Sequence, residues 1–289
     1  MRNYSRRSFI SKSGMGLTAS VALSGLSFPA FLRNMGLVIE QPFGFQSWIV
    51  RDMIGKDFPG TMKIMASEGY KLIEMCSPEG YIDSGFGPLT KIKPVDMKKI
   101  INDAGLSCPS CHFGFSELTD KLDERIEWSK QLGLSVMVCS SFDLPKTAVL
   151  DDWLKAADKL NKAAEKIKKA GMLTGCHNHQ MEFATLDNQL IYDALMNRFN
   201  PDLVKMQFQT QVITLGYKAS TYFNKYPGRF ISSHLSDWTA DKKEVPIGQG
   251  IIDWKEFFAA AKTGGVKYFY VEMNFDTMAP SAAYLKQLS

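Results

Sequence analysis

The sequence predicts an α/β protein built as a single (β/α)8 barrel of the TIM type. Three observations lead to this fold class. From residue 37 onward, short β-rich runs alternate with amphipathic helical runs; eight strands can be counted; and all four histidines lie at or near the carboxyl end of one of these strands. With 289 residues and 45% hydrophobic content, the chain is long enough for one such barrel of about 250 residues.

The predicted strands are short runs of apolar and β-branched residues bounded by turn residues. They cover residues 42–48, 71–76, 107–114, 135–140, 173–179, 205–209, 230–236 and 268–274. The clearest helices between them cover 118–132 and 151–170, and Gly171 is the expected C-cap of the second. An open doubly wound sheet is the alternative, but no glycine-rich dinucleotide fingerprint follows a strand.

The first 35 residues differ in kind from the rest. A Ser5-Arg6-Arg7-Ser8-Phe9-Ile10 motif precedes a weakly apolar stretch rich in Gly, Ser and Ala over residues 14–30. This pattern predicts a twin-arginine export signal and linker over 1–35, a barrel over 36–289 and a periplasmic location. The apolar stretch is shorter than the roughly 20 residues of a spanning helix, so we expect no membrane span after processing.

Net charge and cysteine content limit the kinds of partner and of cysteine chemistry that are expected. The net charge of +4 is distributed along the chain without a basic stripe, which argues against a nucleic-acid partner. The five cysteines are predicted to be buried free thiols on different strands, although Cys108 and Cys111 have the spacing of a redox or zinc pair. Homo-oligomer formation stays open.

A closed barrel carries its reactive residues on the loops that follow its strands. Polar and aromatic side chains at these eight ends are therefore the candidate site. They include Gln46, Trp48, Glu74, His112, His177, His179, Glu182, Gln209, His234, Asp237 and Glu272.

Four consecutive strand ends bring together donors suited to a metal. His177 and His179 share one face of their strand, so one of them can line the barrel mouth. Gln209, His234 and Glu272 follow at the next three strand ends. This mixture of imidazole, amide and carboxylate suits Mn, Zn, Co or Fe better than Ca or Mg. The alternative is that each histidine hydrogen-bonds hydroxyl groups in a sugar pocket.

At these positions the chain resembles the xylose isomerase-like TIM barrel superfamily, and in particular its sugar phosphate isomerase/epimerase branch. The resemblance covers nearly the whole predicted barrel. It rests on Phe45-Gln46-Ser47-Trp48, Gly69-Tyr70-Lys71-Leu72-Ile73-Glu74, Cys176-His177-Asn178-His179-Gln180-Met181-Glu182-Phe183, Asn200-Pro201-Asp202, Tyr226-Pro227-Gly228-Arg229-Phe230 and Gly248-Gln249-Gly250.

The resemblance implies a ligand set for a divalent metal. In that superfamily Glu, Asp, His and Glu from the fifth to eighth strands hold the ion, which here correspond to His177, Gln209, His234 and Glu272. Two of the four are changed, and only Glu272 keeps a negative charge. A less neutralised ion is a stronger Lewis acid.

The resemblance also implies residue roles. Glu272 is expected to be both ligand and base, with His177 and Glu182 as further catalytic groups. The expected substrate contacts are Gln46, Trp48, Glu74, His112, His179 and Asp237. For Glu74 and Asp237, orienting the histidines is an equally open alternative.

The implied function is isomerisation or epimerisation through abstraction of a proton α to a carbonyl. Enzymes of this kind use two glutamates, one of which His177 replaces, so a one-base or histidine-assisted mechanism is expected. Export and the lack of a basic cluster at the strand ends favour a non-phosphorylated sugar or keto-sugar. The alternatives are a keto-sugar or 3-keto-glycoside lyase or dehydratase, a non-catalytic sugar-binding barrel, and an assembly partner of a redox enzyme.

Overall fold

The predicted barrel is confirmed. A computed structural model describes residues 41–288, in which eight parallel strands close into a barrel. The export prediction lies outside these residues. The strands are β1 (Phe43–Gln46), β2 (Leu72–Cys76), β3 (Ser107–Phe113), β4 (Val136–Cys139), β5 (Leu173–His177), β6 (Val204–Gln209), β7 (Phe230–Leu235) and β8 (Tyr268–Val271). Around the barrel they lie in the order β1-β8-β7-β6-β5-β4-β3-β2.

Several strands end one to three residues earlier than predicted, and at β1 the reason is that the following residues turn into a 3-10 helix. At β1 the side chain of Gln46 accepts a hydrogen bond from the backbone N–H of Trp48, which starts the turn Ser47–Val50. The strand β6 ends at Gln209, as predicted, and there the side chain of Gln209 accepts in the same way from Gln211 and begins the 3-10 helix Thr210–Leu215. The other 3-10 helices are Ile82–Ser84, Gly87–Lys91, Met181–Phe183 and Phe275–Thr277.

The predicted helix over 118–132 is two helices, Phe115–Thr119 and Leu122–Leu132. Lys121 leaves the helical conformation between them, in a polar stretch with no large apolar side chain to pack on the barrel. The long helix is Leu150–Lys169, and Gly171 follows it with a φ of 86°, the left-handed conformation expected at a helix end. The remaining α-helices are Arg51–Ile54, Phe58–Glu68, Pro94–Asp103, Ile191–Arg198, Ala219–Lys225, Trp254–Gly264 and Met278–Gln287.

Two short hairpins extend the loops at the carboxyl end of the barrel. Thr185–Leu186 pairs with Gln189–Leu190 after β5, and Asp237–Trp238 pairs with Glu244–Val245 after β7. The five cysteines are free thiols. Over residues 41–288, none of the helices combines the length and apolar character that crossing a membrane requires. The fold thus gathers the candidate side chains at one open end.

Candidate functional site

A cavity of about 810 Å³ opens at the carboxyl ends of the strands. Six of the predicted site residues line it: Trp48, His112, His177, His179, Gln209 and Glu272. The other five, Gln46, Glu74, Glu182, His234 and Asp237, are buried behind its wall. The strand-end prediction therefore identifies this cavity, but it does not distinguish lining residues from those that support them.

Three histidines cluster at the cavity floor, where His112 and His177 line the cavity and His234 is buried behind them. His112, His177 and His234, from β3, β5 and β7, are all buried, and each offers a ring nitrogen within 4.8 Å of the others. Burial, and then the neighbouring histidines, hold the pKa of His177 well below its ordinary value, so its ring is neutral. Its Nδ1 is buried and has no hydrogen-bond partner among the described residues. A neutral imidazole with an unused nitrogen is the form that binds metals.

Glu272 lies beside this cluster. Its Oε2 is 2.9 Å from Nδ1 of His234. Burial opposes ionisation of Glu272, but the charge and hydrogen bond of His234 hold its pKa below the ordinary value. For His234 itself, burial lowers the pKa, and the carboxylates Glu272 and Glu74 more than compensate and raise it to about 10. Glu272 is thus an ionised carboxylate at neutral pH.

Gln209 does not have the orientation expected of a metal ligand. Its amide Nε2 donates to Oε2 of Glu272 at 2.6 Å, and its Oε1 accepts from the backbone N–H of Gln211 at 3.3 Å. Exchanging the two amide atoms would set oxygen against carboxylate oxygen, so the hydrogen-bond network fixes this orientation. Gln209 therefore supports Glu272 instead of offering its oxygen to the cavity.

Glu74 and Gln46 form a polar layer beneath the floor. Gln46 Nε2 donates to Glu74 Oε2 at 2.7 Å, and both residues are fully buried. Neither side chain lines the cavity, so the structure does not support the substrate contacts predicted for Gln46 and Glu74.

Three further members of this layer were missed by the sequence analysis: Ser110, Gln207 and Ser232. Each stands two positions before a predicted or neighbouring site residue on the same strand, His112, Gln209 and His234 respectively. Because side chains two apart point to the same side of a strand, this spacing was the available signal.

Glu182 and Asp237 also act from outside the cavity. Glu182 Oε2 accepts the backbone N–H of His179 at 2.7 Å, and burial raises its pKa to about 7. The carboxylate of Asp237 accepts from the ring N–H of Trp254 at 2.8 Å and from loop backbone N–H groups at Trp238, Gly248, Gly250 and Ile252. Glu182 thus fixes the loop that carries His179, and Asp237 fixes the loop after β7.

The donor set fits a divalent transition metal. Imidazole nitrogens suit zinc, iron, nickel and copper, whereas magnesium and calcium take oxygen ligands. The unpartnered Nδ1 of His177 is the observation that favours an ion here, because a buried nitrogen without a hydrogen bond is otherwise unfavourable.

Comparison with known proteins agrees with this architecture. Residues 62–288 match the xylose isomerase-like TIM barrel family. A sugar phosphate isomerase/epimerase from Parabacteroides distasonis is 25% identical with a TM-score of 0.74, over 85% of this chain and 93% of that one.

Two more distant structures share the fold. The IolI protein with a bound zinc atom is 15% identical with a TM-score of 0.65, over 86% of this chain and 95% of that one. An L-ribulose 3-epimerase is 15% identical with a TM-score of 0.62, over 86% and 94%. Among curated proteins none matches the chain. Because the matched segment covers most of the sequence and includes strands β2 to β8, the chain belongs to the xylose isomerase-like TIM barrel family.

Proposed function

We propose that this protein is a metal-dependent enzyme of the sugar isomerase and epimerase type. It would abstract a proton α to the carbonyl of a non-phosphorylated sugar or keto-sugar. The observation that carries the proposal is the cluster of His112, His177 and His234 with the Glu272 carboxylate beside it at the cavity floor. The similarity to the Parabacteroides distasonis isomerase/epimerase supports the reaction class.

His112, His177 and His234 would hold the ion, of which His177 and His234 belong to the set implied by the sequence. Zinc, cobalt, iron or manganese would supply Lewis acidity toward the substrate carbonyl oxygen. The zinc atom bound to the IolI protein supports a metal in this fold.

Glu272 is the proposed base. It lines the cavity and is ionised, and the amide of Gln209 holds its Oε2 in place at 2.6 Å. His179 also lines the cavity, and its backbone is fixed by Glu182, so it can return a proton to the substrate. A second carboxylate would not be needed for such an exchange.

The charges around the cavity favour a substrate without phosphate. Arg51 is the one lysine or arginine side chain among the described lining residues, whereas four carboxylates also line the cavity: Asp52, Asp143, Glu244 and Glu272. Arg51 is already engaged, because it donates to the Trp48 carbonyl at 2.8 Å and lies over the Trp48 ring at 4.4 Å. Trp48 and Trp238 offer aromatic surface for a sugar face.

The test is hydrogen exchange at carbon in D2O. Free ketoses, aldoses and 3-keto-glucosides are incubated with zinc-loaded protein, and the loss of the α C–H signal is followed by proton NMR. We expect exchange that Glu272→Gln abolishes and that Glu127→Gln, an exposed change on an outer helix, leaves intact. Sugar binding without exchange, unaffected by chelator, would instead support a non-catalytic barrel.

One observation favours the lyase or dehydratase as a second candidate. The histidine cluster meets a single carboxylate that lines the cavity next to it, Glu272, and elimination can proceed with one base. Release of the aglycone from a 3-keto-glucoside in the same NMR experiment would identify this reaction, whereas an intact glycosidic bond with a new stereocentre would identify epimerisation.

We also propose that residues 1–35 direct export to the periplasm, where a neutral sugar would be met. The Arg6-Arg7 pair ahead of a weakly apolar stretch supports this.

A further inference from the structure

Glu74 is enclosed by polar partners at the centre of the barrel. Its Oε1 accepts from Ser110 Oγ at 2.6 Å and from Gln207 Nε2 at 2.8 Å. Its Oε2 accepts from Gln46 Nε2 at 2.7 Å and lies 2.5 Å from His234 Nε2 and 3.2 Å from His112 Nε2. A carboxylate has about four lone-pair sites, so these contacts leave none for a substrate.

The same network fixes the proton of His112. Gln207 donates through Nε2 to Glu74 and to Ser232 Oγ, both at 2.8 Å, so its Oε1 is left as the acceptor. That Oε1 lies 2.6 Å from His112 Nε2, which must therefore carry the hydrogen. His234 likewise directs Nε2 to the Glu74 carboxylate. In His112, Nδ1 is then the nitrogen left for another partner. In His234, Nδ1 faces Glu272 Oε2 at 2.9 Å and would have to lose its hydrogen to bind an ion.

A buried carboxylate is costly unless it is paired, and Glu74 pairs with two of the three clustered histidines. Imidazoles are neutral when they bind a metal, so the proposed metal site has few negative charges of its own, and His234 would give up a proton on binding the ion. A carboxylate behind a metal-binding histidine fixes the ring and raises its basicity as a ligand.

We propose that Glu74 is a positioning residue: it holds His112 and His234 with hydrogen on Nε2, so that each presents Nδ1 to a divalent cation, and it supplies negative charge to that site from below. This inference rests on the metal site of the proposed function. Of the two roles predicted for Glu74, it keeps the orientation of histidines and sets aside substrate contact, which the enclosed position does not allow.

Glu117 offers a matched control. It is also a buried carboxylate, and it accepts from Ser77 Oγ at 2.6 Å and from the backbone N–H of Gly114 at 2.9 Å. Its partners lie in the loops after β2 and β3, together with Arg125, and do not include the clustered histidines. Removing its charge perturbs a buried network that makes no hydrogen bond to the clustered histidines.

The experiment compares wild type, Glu74→Gln and Glu117→Gln, with circular dichroism to confirm folding. Zinc affinity is measured by competition with a chromophoric chelator, and histidine tautomers are read from long-range nitrogen-proton NMR spectra. In wild type we expect hydrogen on Nε2 of His112 without metal, and on Nε2 of both His112 and His234 with zinc. Glu74→Gln should weaken zinc binding by about 10- to 100-fold. Glu117→Gln should leave affinity and tautomers unchanged.

The outcomes separate the two proposals. Wild type that binds no zinc would overturn the proposed metal site and this inference together. Two results would overturn only the role of Glu74. One is an unchanged zinc affinity in folded Glu74→Gln, and the other is hydrogen on Nδ1 of His112 or His234 in zinc-bound wild type. The tautomers of wild type decide the question even if Glu74→Gln does not fold.

Discussion

The side-chain amide of Gln209 donates a hydrogen bond of 2.6 Å to Oε2 of Glu272. The same oxygen lies 2.9 Å from Nδ1 of His234, so two donors converge on one carboxylate oxygen. Hydrogen bonds to the charged form of an acid favour that form. The position that the family resemblance assigns to a second metal-binding acid thus serves here to keep the proposed base ionised.

Gln209→Leu should raise the pKa of Glu272, because it removes a donor to the ionised carboxylate. A hydrogen bond to a charged group contributes about 1.5 kcal/mol or more, which corresponds to about one pH unit. We expect the acidic limb of the kcat/KM profile to move upward by about that amount, with activity recovered at higher pH. Gln131→Leu on an outer helix should not move it. An unshifted limb in Gln209→Leu would contradict this role.

His177→Asn should empty the proposed metal site. The substitution removes the ring whose Nδ1 has no partner among the residues described, and Asn does not reach as far. Loss of metal should exceed the roughly 10- to 100-fold expected for groups that only support a ligand. Metal content of protein purified without chelator is the measurement.

The neighbouring change His179→Asn is the control for that experiment. The ring centroids of His179 and His177 are 4.7 Å apart, and both residues line the same cavity. His179 is nevertheless outside the cluster of three. We expect it to keep full metal content while activity falls. Equal metal loss in both variants would argue against His177 as a specific ligand.

The sequence was sufficient to predict the barrel and the end of it at which the candidate residues lie. Alternating strands and helices require a parallel sheet, and a closed parallel sheet has one functional end. What could not be predicted was how deeply each side chain is buried relative to the cavity. His234 and Glu272 both follow from strand ends, yet one is fully buried and the other lines the cavity. Strand tilt and register determine how deeply a side chain is buried, and the local sequence pattern does not determine either of them.

Side-chain partners were also beyond the sequence. Asp237 follows a predicted strand, as a substrate-binding acid would be expected to, and a glycine-containing segment comes after it. Only the folded path of residues 246–254 shows that backbone N–H groups surround its carboxylate.

Asp237→Asn should destabilise the fold by about 3 kcal/mol. The carboxylate accepts from Trp254 Nε1 and from backbone N–H groups that Asn would face with its own NH2 group. Urea unfolding gives the measurement. Asp253→Asn is the control, because Asn is as good a helix N-cap as Asp and the change should be below about 1 kcal/mol. Equal stability of the two variants would contradict the assigned role.

Replacing Arg6 and Arg7 together by lysine should block the proposed export. A receptor recognises twin-arginine signals, so we expect the double variant not to be exported even though lysine keeps the positive charge. Cell fractionation and immunoblotting measure the share in the periplasm. Arg33→Lys, beyond the apolar stretch, should be exported normally. Normal export of the double variant would remove the basis for a periplasmic substrate.

Glu182→Gln should stabilise the protein at high pH. Burial raises the pKa of Glu182 from 4.5 to about 7, so the folded state binds more protons than the unfolded state between these values. The free energy of unfolding of the wild type therefore falls by about 3 kcal/mol, because of this group, as pH rises from 4.5 to above 7. Gln stays neutral and keeps an oxygen for the backbone N–H of His179. The difference in unfolding free energy between variant and wild type should be near zero at pH 4.5 and grow toward pH 8, whereas the exposed control Glu127→Gln should give a flat difference. A flat profile for Glu182→Gln would show that the carboxyl ionises as readily in the fold as in the unfolded chain.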